Sequence, residues 1–150
     1  RSRRMSEYTK ILVAIDLSED SSRVVERGHA IASKNNADLH LIHVIEPLSF
    51  AYGGDIPMDF SGIQDEIHQQ ATQQLERFAA SNGIDAQHQH IILGRPEVEI
   101  HATAEELGTD LIVVGNHCRH GLALLMGSTA NGVLHGASCD VLAVRVGKKE

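Results

Sequence analysis

The chain has no tryptophan, and only three phenylalanines and two tyrosines in 150 residues. That removes the aromatic platforms on which single-stranded nucleic acids stack. Basic residues are also scarce. Thirteen Lys and Arg stand against 20 Asp and Glu, and setting aside Arg1, Arg3 and Arg4 leaves 10 against 20. Affinity for nucleic acid or an anionic membrane comes from clustered Lys and Arg, so neither is an expected partner. Long apolar runs are missing as well: the longest are strand-sized, far short of the roughly 20 residues of a membrane-spanning helix. There are two cysteines, Cys118 and Cys139, too few for a disulfide framework. With no secretory pattern after Met5, the expectation is free thiols in the cytoplasm. Arg1 to Arg4 precede Met5, a natural start, and are expected to be an appended remnant; residues 5–147 are expected to form one domain, the size that 150 residues can fold around one core.

What is present is a regular alternation of short apolar runs with amphipathic segments. Lys10–Asp16 (KILVAID), Leu39–Ile45 (LHLIHVI), Asp110–Gly115 (DLIVVG) and Asp140–Val146 (DVLAVRV) are nearly continuous apolar runs, the pattern of strands covered on both faces. Gln87–Leu93 is a weaker, more polar strand. Between them, Ser18 and Ser21 offer N-cap oxygens to a helix from about 20 to 34. Ile63, Ile67, Ala71, Leu75 and Phe78 mark a long amphipathic helix that stops at Asn82-Gly83. Pro96 opens a third helix closed by Gly108, and Ser128 opens a fourth that runs to about Gly136. Pro47, Gly53, Gly54 and Pro57 make 47–62 a loop. Strands alternating with helices predict an α/β three-layer sandwich around a parallel sheet. Such sheets take ligands at the carboxyl ends of their strands.

Two of those strand ends carry chemistry. The first finishes in Asp16, a residue type that accepts from ribose hydroxyls at such positions. The fourth finishes in Gly115, followed by a loop to Gly127-Ser128-Thr129. A glycine after a strand permits a tight turn or a close ligand, and the first amides of a helix attract anions. The same residues also suit a plain connection in which Ser128 caps its own helix. No Lys follows Gly127, so this is no Walker loop, and the compact Gly-x-Gly-x-x-Gly of dinucleotide folds is missing.

Histidine is plentiful, ten in all. His117, Cys118 and His120 lie close together, and His88 and His90 sit two apart on one face of the weak strand, but no further ligands stand at zinc-site spacing and no metal site is expected. For covalent catalysis, Ser128 has no base beside it, and Cys118 has one only if the loop brings His117 or His120 to it. No catalytic residues are assigned. Cys139 reads as a small core residue. Val141–Val146 would leave an apolar edge in a monomer, which pairing with a second copy would cover.

Lys10–Ser18 (KILVAIDLS), Leu41–Val44 (LIHV), Asp110–Gly115, Gly127-Ser128 and Cys139–Val144 (CDVLAV) together resemble the universal stress protein family, in order and spacing, over residues 8–146. The resemblance implies a five-stranded parallel sheet of order 3-2-1-4-5, the Rossmann-like fold of adenine nucleotide alpha hydrolases, and a cytoplasmic homodimer paired through 141–146. It implies ATP or AMP as ligand, with Mg2+ accompanying ATP. Carried over residue by residue, Asp16 faces the ribose and Val44 the adenine; Val114, Gly115 and Cys118 start the loop, and Gly127, Ser128 and Thr129 hold phosphate. The family's nucleotide binders carry Gly-x2-Gly-x9-Gly-Ser/Thr. Here the text is Gly115-x2-Cys118-x8-Gly127-Ser128, with Cys for the second glycine and a loop shorter by one. Two readings remain: a nucleotide-binding stress-response protein with at most slow ATP hydrolysis, or a dimeric interaction module of the same fold whose cleft holds no nucleotide.

Overall fold

The computed structural model describes residues 7–47, 61–117 and 128–147. In chain order the elements are β1 (Lys10–Ala14), α1 (Ser21–Asn35), β2 (Asp38–Ile45), α2 (Ser61–Ala80), a 3-10 turn at Ala86–His88, β3 (Gln89–Leu93), α3 (Pro96–Leu107), β4 (Leu111–His117), α4 (Ser128–Leu134) and β5 (Asp140–Val146). The five strands form one parallel sheet in the order β3-β2-β1-β4-β5. Both the parallel direction and the order agree with the sequence reading.

Strand alternation sorts the core into two layers. Ile11 and Val13 of β1, and Ile15 just after it, point with Leu41, Leu111 and Val113 toward Val24 and Val25 of α1 and Leu75 and Ala79 of α2. Leu12 and Ala14 point the other way, with Ile42, Ile112 and Val114, toward Ile100 and Ala104 of α3 and Ala130 and Val133 of α4. Burial on both faces is why these strands read as continuous apolar runs rather than alternating ones. Cys139 packs against the second layer, and burial pushes its thiol pKa up. Gly108 closes α3 at φ 74°, the left-handed conformation that favours glycine.

Several boundaries differ from the sequence reading. β1 stops at Ala14, two residues before Asp16, whereas β4 continues past Gly115 to His117 by pairing Asn116 with Arg145 and His117 with Val146. Gly115 is therefore a strand residue, opposite Val144, and makes no turn. Its missing Cβ serves packing: a Cβ there would stand 3.0 Å from Val24 Cγ2 of α1. His88 lies in the 3-10 turn and not on β3 with His90. The N-cap of α1 is Asp20, with no side-chain cap; the Ser18 and Ser21 hydroxyls turn to Asp16 instead.

Candidate functional site

The register Ala14 to Val114 sets the carboxyl ends of β1 and β4 side by side. Above them opens a cleft of about 330 Å3, at the small end of the range for ligand sites. Its lining includes Ala14, Ile15, Asp16, Val44, Val114, Gly115, Thr129 and Val146, with Pro96 and Ile100 of α3 as an apolar wall. That wall is tied to α4 by His101, whose Nε2 is 2.7 Å from the Val133 carbonyl oxygen.

Asp16 is the most heavily bonded group in the cleft. Its Oδ1 accepts from the Ser18 amide at 3.0 Å, the Ser18 hydroxyl at 2.7 Å and the Ser21 hydroxyl at 3.1 Å. Its Oδ2 lies 3.0 Å from His117 Nε2, whose N–H donates. Partial desolvation pushes the carboxyl pKa up, but the Ser18 hydroxyl and amide, then His117 and Ser21, outweigh it and hold the group at about 2. The other ring nitrogen of His117, Nδ1, is 3.8 Å from Asp20 Oδ2. His43 Nδ1 is 2.8 Å from the Ile15 carbonyl oxygen and so carries the proton that bonds to it.

Five of the eight residues named from the sequence thus line one cleft: Asp16, Val44, Val114, Gly115 and Thr129. Ser128 begins α4. Cys118 and Gly127 lie outside the described residues, as do 48–60 of the 47–62 loop. The sequence reading missed Ser18, Ser21, Asp20, His43 and His117 as cleft residues. A signal for His117 was present, because a strand order with β4 beside β1 puts the residues after Gly115 next to Asp16. Among the described residues, no three His, Cys, Asp or Glu side chains converge as metal ligands, and no helix is long and apolar enough to cross a membrane.

Comparison with known proteins gives the same picture at three levels. The sequence model of the universal stress protein family matches residues 7–145. Universal stress protein A homolog 2 of Coxiella burnetii is 42% identical over 146 residues, which cover 95% of this chain and 98% of that protein. The solved structure of the protein MJ0577 superposes with a TM-score of 0.75 at 22% identity, covering 95% of this chain and 99% of the other, a likeness of fold. A universal stress protein solved in complex with cAMP superposes at 0.58 with 28% identity, covering 93% and 98%.

Proposed function

The chain belongs to the universal stress protein family, and from that premise we propose that it binds an adenine nucleotide in the cleft above β1 and β4. The observation that carries the reading is the convergence there of Asp16 with the apolar Val44, Val114, Pro96 and Ile100. An ionised carboxylate suits ribose hydroxyls, and an apolar slot suits a purine ring. In support, a relative of the same fold is known in complex with cAMP. Thr129, in the first turn of α4, stands on the side that the phosphates would take. Mg2+ would accompany ATP, bound chiefly by phosphate oxygens and water.

The nucleotide works as a signal in this reading: its binding changes the cleft walls, and partners read the change. The assembly is a cytoplasmic homodimer of one domain, residues 5–147, paired through β5. β5 is an edge strand whose Val141 and Leu142 are incompletely buried, and such an edge invites a second strand. The test is mass spectrometry of what denaturation releases from freshly purified protein. Adenine nucleotide in near-stoichiometric amount is the expected result. Protein that releases none, and gains no thermal stability from millimolar AMP or Mg-ATP, overturns the reading in favour of an interaction module that acts without a ligand.

A further inference from the structure

An ionised carboxylate offers about four lone-pair sites, and Asp16 already has four donors. Three of these sit on Oδ1 and one on Oδ2, so a single ligand hydroxyl fits the remaining lone pair of Oδ2, but the two hydroxyls of a vicinal diol can both bond Oδ2 only by displacing its present donor. The four are not equally exchangeable. Both Ser18 donors belong to the turn that leads into α1, two residues from Asp16. Ser21 is 2% exposed and starts α1 itself. His117 is different: it ends β4, its side chain is 47% exposed, and among the described residues it alone holds Oδ2, the oxygen on which none of the serine donors sits. A hydrogen bond between solvent-exposed side chains is worth little net free energy, so this one gives way most easily. Asp20 Oδ2, 3.8 Å from Nδ1, offers the displaced ring a second carboxylate.

We propose that His117 is a specificity-determining residue of the cleft, a resident competitor for Asp16 Oδ2 that yields only to a ligand bringing its own hydroxyl donors. This inference rests on the nucleotide reading above. The ligand class it selects is a ribonucleotide, whose vicinal hydroxyls replace the imidazole N–H at the same oxygen. A nucleotide without them has nothing to offer Asp16 and leaves the pair closed.

Calorimetric titration with AMP and with 2′,3′-dideoxy-AMP separates the alternatives. His117→Ala removes the competitor, so it should bind AMP roughly three- to tenfold tighter than wild type, the scale of one net hydrogen bond. It should bind the dideoxy compound no better. The gain should vanish in the double variant Asp16→Asn/His117→Ala, while His117→Gln, which keeps a donor, should stay near wild type. Circular dichroism checks that each variant folds. Equal or weaker AMP binding by His117→Ala, or an equal gain with the dideoxy compound, overturns the competitor role while leaving the nucleotide reading standing. If neither wild type nor His117→Ala binds AMP at millimolar concentration, the nucleotide reading itself fails and this inference with it.

Discussion

His40 Nδ1 and His90 Nε2 lie 3.0 Å apart between β2 and β3, so one ring donates and the other accepts. The two rings stack at 5.3 Å, and His88 closes on His40 from the 3-10 turn at 4.3 Å. His88 in turn contacts Asp85. Two imidazoles in this geometry cannot both be cationic, because both nitrogens would then point a hydrogen at the same gap.

Acid should therefore loosen this corner of the sheet. Burial, with help from His88, His90 and Lys10 and against Asp38, pushes the His40 pKa down to about 4. His90 is lowered by burial and His88, against Glu106. A histidine lowered on folding is held neutral. Its stabilisation is complete above the unfolded value near 6.5 and is lost as pH falls from there toward 4. Between those limits the chain should lose roughly 2 to 3 kcal/mol through this pair. Urea unfolding at stepped pH checks it: the double variant His40→Leu/His90→Leu should flatten the slope from pH 6.5 to 4.5. An unchanged slope would assign the acid sensitivity elsewhere.

Asp110 stitches the starts of β1 and β4. Its carboxylate accepts from the Thr9 amide at 2.9 Å, the Thr9 hydroxyl at 2.9 Å and the Lys10 amide at 3.0 Å. Asp110→Ala leaves these donors without that acceptor and should cost about 2 kcal/mol in chemical denaturation, the range for bonds to a charged group. A loss below a few tenths would mean that water replaces the carboxylate fully.

Gly28 lies where α1 crosses β1, and a Cβ there would collide with Val13 Cγ2. Helix propensity alone predicts that Gly28→Ala stabilises by about 1 kcal/mol. The packing predicts the opposite sign, a loss of about 1 to 3 kcal/mol. Val13→Ala costs stability on its own but removes the obstruction, so the double variant should be less destabilised than the two single effects add up to. Strict additivity would contradict the contact.

Much of this was legible in the sequence, and for identifiable reasons. β1, β2 and β4 are covered on both faces, so their apolar runs are unbroken. β3 is an edge strand with polar Gln89 and His90, and Gln87 and His88, read from the sequence as its first residues, coil with Ala86 into a 3-10 turn instead. Ser18 and Ser21 look like helix caps because the local text cannot show that Asp16, folded back beside them, competes for their hydroxyls. Asn116 and His117 read as loop because they are polar, yet backbone pairing to β5 keeps them in the sheet and delivers His117 to Asp16. Polarity marks where burial ends; it does not mark where pairing ends.

The dimer proposed through β5 makes a separable prediction. Val144 and Val146 are buried within the protomer, so charging them would unfold it, whereas Ala143 is exposed on the edge strand. Sedimentation equilibrium should find a dimer for the wild type and a folded monomer for Ala143→Glu. A wild-type chain that remains monomeric at all concentrations would remove β5 pairing from the account.

Calorimetric titration of the wild type and of Thr129→Trp with AMP and Mg-ATP tests the central claim most directly. Thr129 is exposed on the cleft wall, so an indole there fills the cleft without disturbing the core. The account predicts micromolar binding by the wild type and none by the variant, with unchanged circular dichroism and melting temperature. No heat of binding up to millimolar nucleotide, or equal affinity in the filled variant, would contradict it.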